Sequence, residues 1–189
     1  MSKKKKVAKK AKPLTAIEAK RVAILKDAIA QVRAKKYLVE ANSGYVDNGT
    51  NALPDFHEAA ESCKLFTGKE ADEVEFNKYL DNIITKDNPC QVCAKGAMLL
   101  SSIRKFNNFT LQDADDTNLN ALAGDDGTYE IFGQKNADKM ECYFERQDDD
   151  IIINANGEAS CWSDDYPNDD KRLIAIFENA IKHRGTFTP

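Results

Sequence analysis

The spacing of apolar residues changes several times along the chain, and each change marks a different element. Ile17, Val22, Leu25, Ile29 and Val32 recur at steps near three and four, the repeat of an amphipathic helix that runs to about Lys35. Thr15, with Glu18 three residues on, is a capping-box signature that starts it. Beyond Lys36 the repeat shortens. Tyr37, Val39 and Tyr45-Val46 predict a short strand with a turn or bulge at Ser43-Gly44, and Asp47-Asn48-Gly49 predicts a hairpin-type turn. Short helices are predicted over residues 51–64, from Phe56, Ala59, Ala60 and Cys63, and over residues 73–84, from Val74, Phe76, Leu80, Ile83 and Ile84.

The most apolar stretch follows Pro89 and runs over residues 90–106. Small residues at 93, 94, 96, 97, 101 and 102 permit close approach of neighbours, so the stretch reads as the central buried helix. A glycine inside a helix costs about 1 kcal/mol against alanine, which implies that something comes close to the backbone of Gly96. Residues 107–170 are loop-rich. They predict a short helix at 115–123 and strands at 128–132, 140–145 and 151–153. The last helix is well signed. Pro167 stands at a first-turn position and Asp169 and Asp170 at the positive end of the dipole. Leu173, Ile174, Ile176, Phe177, Ala180 and Ile181 form its apolar stripe. Lys182, His183 and Arg184 lie at its negative end, with Gly185 at the C′ position. The whole predicts a mainly α (α+β) fold of about three principal helices with short β strands or hairpins. It divides into a disordered lysine-rich tail over residues 1–13 and one globular domain over residues 14–189.

Composition sharpens this picture through charge. The 189 residues carry a net charge of −4, which hides an asymmetry. Residues 1–36 hold eleven lysines and two arginines against Glu18 and Asp27, a net +11, which leaves −15 for the remainder. Within that remainder, residues 111–170 hold 17 acids against Lys135, Lys139 and Arg146, a net −14. The tail lysines are Lys3, Lys4, Lys5, Lys6, Lys9, Lys10 and Lys12. Such a run attracts phosphates without reading sequence, and its binding is salt-sensitive because counterions are released. Nothing aromatic interleaves it, so base stacking is not implied. The same charge also suits a solubilising extension, or one that folds back on the acidic body.

No apolar run approaches the length of a membrane span or an export signal, so no membrane partner is expected and the location is expected to be cytoplasmic. Five cysteines, an odd number, argue against a disulfide framework in that compartment.

Few residues suggest chemistry. Cys90-x-x-Cys93 offers two candidate metal ligands, but the second pair that a four-ligand zinc site needs is missing, so two buried thiols is the simpler reading. His57-Glu58 lacks the second histidine of a metalloprotease helix. The aspartate clusters do not match calcium-loop spacing, because the glycines at 124, 127 and 157 lack the required upstream ligands. There is no phosphate-binding glycine loop and no Gly-x-Ser-x-Gly elbow. No catalytic residue, metal or cofactor is assigned. Cys93, Gly96 and Trp162 are the candidate lining of a pocket, with Trp162 either a wall of it or a core residue.

At Cys93-Ala94-Lys95-Gly96-Ala97, at Arg172-Leu173-Ile174-Ala175-Ile176 and at the ending Gly185-Thr186-Phe187-Thr188-Pro189, the chain resembles small uncharacterised proteins of bacteria and their phages. The similarity covers roughly residues 15–46, 90–110 and 160–189. Lys95 replaces the usual leucine of their central Cys-Ala-Leu-Gly-Ala helix, and Tyr166-Pro167-Asn168-Asp169 stands where some have Trp-Asn-Asp. The resemblance implies a mainly helical domain of bacterial or phage source. It carries no reaction and no functional residue. The leading expectation is a non-enzymatic binding protein with a nucleic-acid-attracting tail. The alternatives are an acidic decoy or inhibitor of a host protein, and a small metal- or ligand-dependent enzyme built on the helix start at residues 90–96.

Overall fold

A computed structural model describes residues 12–41, 46–47, 76–106, 127–145, 152–153, 159–160 and 166–189. The elements are α1 (Ala16–Arg33), β1 (Tyr37–Val39), β2 (Val46–Asp47), α2 (Phe76–Ile83), β3 (Cys90–Val92), α3 (Ala94–Phe106), α4 (Gly127–Phe132), α5 (Gln134–Glu145), β4 (Ile152–Ile153), β5 (Ala159–Ser160) and α6 (Asp169–Lys182). The fold is mainly helical with short strands. The expected tail before Lys12, the turn at residues 48–49 and the helices at 51–64 and 115–123 lie outside the described residues.

The capping box that starts α1 is complete: Glu18 N–H donates to Thr15 Oγ1, and Glu18 Oε2 accepts from Thr15 N–H at 2.7 Å. Val22, Ile24, Leu25, Ala28, Ile29 and Val32 form its buried face. Ile17, the first residue of the predicted stripe, sits in the opening turn and stays 41% exposed. The helix ends in a Schellman motif with Lys35 at φ 60°, where Lys35 N–H reaches Val32 O and Lys36 N–H reaches Gln31 O.

The stretch at residues 90–106 divides in two. Cys90–Val92 is a strand, parallel to β1 with Tyr37 opposite Cys90, and antiparallel to β2 with Val46 opposite Val92. Cys90 and Val92 are buried while Gln91 is less so, a period of two that the surrounding apolar run masks. The helix begins only at Ala94. From there α3 is the central element, buried from Ala94 to Ile103 and packed by α1, α2, α4 and α5.

Two predicted strands are helices instead. Residues 128–132 fall in α4, and residues 140–145 fall in α5. Tyr129, Ile131, Tyr143 and Phe144 have strand-like local preference, but Ala137, Met140 and Phe144 repeat at helical steps and bury together against α3 and α6. Tertiary packing decides in favour of that period. The strand predicted at Ile151–Ile153 is present as β4, paired antiparallel with β5.

The last helix is shifted from the predicted frame at both ends. Pro167 lies before the helix and not in its first turn: Asn168 is the N-cap, its side chain accepting from Lys171 N–H, and Asp169 is the first helical residue. The C′ position with left-handed backbone is Arg184, at φ 63°, and Gly185 follows at φ 88°. Arg184 N–H reaches Ile181 O and Gly185 N–H reaches Ala180 O, a second Schellman motif.

The first and last helices lie antiparallel and clasp reciprocally. Lys35, at the C-terminal stop of α1, bonds Asp170 in the first turn of α6 at 2.6 Å. Arg184, at the stop of α6, bonds Glu18 in the first turn of α1 at 2.7 Å. Each cation sits at a helix's negative end and each acid at a positive end, so the dipoles favour both pairs. The ending 185–188 is docked by two asparagines. Asn136 bonds Gly185 O and Phe187 N–H, and Asn179 bonds both backbone groups of Thr188. Phe187 is thereby buried edge-on against Tyr143, with ring centroids 5.1 Å apart.

Candidate functional site

An α-helix opens with four backbone N–H groups that have no partner in its own ladder. At the buried start of α3 two of these find unusual acceptors. Cys93, the residue before the helix, accepts from Gly96 N–H through Sγ at 3.5 Å. Its carbonyl takes the first helical bond, from Ala97 N–H. Lys95 N–H donates to Glu141 Oε2 at 2.8 Å, across from α5. What comes close to the backbone of Gly96 is thus a sulfur.

Glu145 lies one turn beyond Glu141 on α5, so both carboxylates share one face of that helix. Cys93 Sγ and one oxygen from each carboxylate all lie within 4.8 Å of one another. Cys93 and Glu145 are buried and Glu141 largely so. Burial, and then the Glu141 carboxylate, push the Cys93 thiol well above its ordinary range. Burial likewise raises Glu141, against the lowering effect of its bonds from the Cys93 thiol and from Lys95 N–H.

Lys95, whose side chain is only 8% exposed, runs beside this trio. Its ammonium bonds Asp138 Oδ1 at 2.7 Å and Tyr129 OH at 3.0 Å, and lies 5.1 Å from the centre of the Tyr129 ring. Tyr129 OH donates to Asp138 at 2.6 Å, closing a triangle. Burial raises Asp138, but the bonds from Lys95 and Tyr129 outweigh it and the carboxyl ends below its ordinary value. Burial and the Asp138 bond raise the Tyr129 hydroxyl.

The residues singled out from sequence are distributed unevenly. Cys93 and Gly96 meet at the start of α3, while Trp162 lies outside the described residues. Cys90 is buried on β3 and is not part of the trio. Its thiol contacts the Gln91 carbonyl at 3.6 Å. Of the tail lysines, Lys12 is described, and its carbonyl accepts from Arg184 Nη1 at 2.9 Å. Lys3, Lys4, Lys5, Lys6, Lys9 and Lys10 lie outside the described residues. A shallow open groove of about 490 Å3 runs along α6, lined by Tyr166, Lys171, Ile174, Glu178, Asn179 and Lys182. Glu141, Glu145 and the Lys95–Tyr129–Asp138 triangle were not foreseen. The four-residue spacing of the glutamates, beside the Ala137/Met140/Phe144 stripe, is the signal that points to them.

No helix among the described residues is long and apolar enough to cross a membrane. Compared with protein-family models, with curated proteins and with solved structures, the chain finds no match.

Proposed function

We propose that the protein is a binding protein that engages nucleic acid non-specifically through its lysine-rich N-terminal segment, carried on the helical domain. The observation that supports this is how the segment joins the fold. Arg184 Nη1 and Nη2 donate to the carbonyls of Lys12 and Pro13, at 2.9 and 2.6 Å, while the same guanidinium holds Glu18. The segment is therefore anchored at Lys12 and Pro13 beside the α1–α6 pair. Several cations of the domain itself are already answered, through Arg33–Glu178, Lys35–Asp170 and Arg184–Glu18. The lysines ahead of residue 12 are the concentrated positive charge that this arrangement offers to a phosphate backbone.

The test is fluorescence anisotropy on a labelled DNA duplex and a labelled RNA, comparing the full chain with one lacking residues 1–11. That deletion keeps the Lys12–Pro13 anchor. Binding should be strong at low salt and lost on deletion. With the six lysines ahead of residue 12 engaged on the duplex, the logarithm of affinity should fall against the logarithm of salt with a slope of roughly −5. Unchanged retention after the deletion overturns the reading, as does a slope near zero.

A further inference from the structure

We propose that Cys93, Glu141 and Glu145 form a three-ligand site for one divalent transition metal of borderline softness, of the zinc class. The site is independent of the nucleic-acid reading. It rests on three features that meet in one place: donor chemistry, convergence and support of the ligands.

The donor set is one sulfur and two carboxylate oxygens. All-oxygen sites suit magnesium and calcium, and all-sulfur sites suit copper(I), whereas a mixed thiolate and carboxylate set suits Zn2+ and its neighbours. The donors come from two separate elements. Cys93 is fixed at the junction of β3 and α3, and the glutamates stand one turn apart on α5, the i, i+4 spacing with which a helix chelates. With Zn–S near 2.3 Å and Zn–O near 2.1 Å, tetrahedral ligand atoms stand about 3.5 Å apart. The three donor atoms already lie within 4.8 Å of one another. Three protein ligands leave a fourth position for water or a small molecule.

The ligands are also held from behind. Glu141 is oriented by Lys95 N–H at 2.8 Å and the sulfur by Gly96 N–H at 3.5 Å. Hydrogen bonds of this kind fix ligand geometry. Two ammonium contacts of Lys95 go to Asp138 and Tyr129, which places a second ordered layer beside the trio.

The experiment titrates the purified full chain, stripped with chelator, with Co2+ and separately with Zn2+. One Co2+ per chain should give the sulfur-to-cobalt charge-transfer absorption of a thiolate ligand, and Zn2+ should bleach it. C93S should abolish the band. E141Q and E145Q should each weaken Zn2+ binding at least about tenfold, in the range for losing a group that a metal site depends on. C90S and C142S should leave the band intact. No charge-transfer band in the full chain overturns the proposal. So does a band that survives C93S, which would place the metal at other cysteines. Should C93S fail to fold, E145Q decides alone, because unchanged Zn2+ affinity in that variant overturns the site.

Discussion

Two glycines with left-handed backbone allow conformation and crowding to be separated. Gly185 has φ +88° and Gly133 has φ +77°. An L side chain at either position pays a conformational penalty of about 1–2 kcal/mol. Only at Gly185 is there also a collision. A Cβ added there would lie 2.5 Å from Arg21 Cβ and 2.9 Å from Arg21 Cδ, whereas around Gly133 nothing comes within 4 Å. Arg21 Cβ is fixed to the α1 backbone and cannot swing aside. The C-terminal segment must move instead, straining the Gly185–Ala180 bond at 2.7 Å or the Arg21–Ile131 bond at 2.6 Å. Overpacking of this kind adds about 1–3 kcal/mol. G185A should therefore lose about 2–5 kcal/mol and G133A about 1–2 kcal/mol. Urea unfolding followed by circular dichroism reads both, as lowered midpoints at an unchanged slope. R21A/G185A should recover little, because alanine keeps the Cβ that makes the 2.5 Å contact. Equal losses in G185A and G133A would refute the reasoning, as would a double variant restored to the level of R21A alone.

Two other perturbations test the helix clasp and the buried cation. The bond from Arg184, with those from Thr15, lowers the Glu18 carboxyl from an ordinary 4.5 to about 2. Because the folded value is the lower one, this contribution is complete above about pH 4.5 and is lost as the pH falls towards 2. Thermal melts across that window should show a shallower acid decline in E18Q than in the native chain, and parallel curves would count against the clasp. Arg172 is fully buried, donating to Phe144 O at 2.8 Å, Tyr166 O at 3.1 Å and Asp169 Oδ1 at 2.6 Å. R172A should cost about 2–5 kcal/mol in the same urea assay, because it takes this donor from the Phe144 and Tyr166 carbonyls and empties a buried site. R172K should recover little of that, since an ammonium cannot reproduce the planar fork. A near-native R172K would show that charge alone suffices.

The parts of the fold legible in the sequence are those specified locally. Thr15 and Glu18 write the start of α1, and Asp169 and Asp170 with Lys182 write the polarity of α6, because caps and dipoles act within a few residues. Cys90–Val92 was hidden because three residues are too few to show a period inside an apolar run, and its strand character comes from partners at Tyr37 and Val46. Tyr129 and Phe144 misdirect for the opposite reason, since local preference favours a strand where packing against α3 imposes a helix. The candidate site was half legible. The Cys93–Gly96 helix start stands out in sequence, but Glu141 enters only when α5 is folded across it, 46 residues beyond Lys95.

The clasp between the first and last helices also sets the order of events during synthesis. Residues 18 and 184 are 166 positions apart, so α3 can cover part of the apolar face of α1 early, but the part packed against α6 stays uncovered until nearly the whole chain has been made. That part then waits, open to other chains or to chaperones, while the middle of the protein emerges. Closing so long a loop is slow and comes late. A chain stopped within α6 is therefore left not one helix short but without a lid on part of its N-terminal helix.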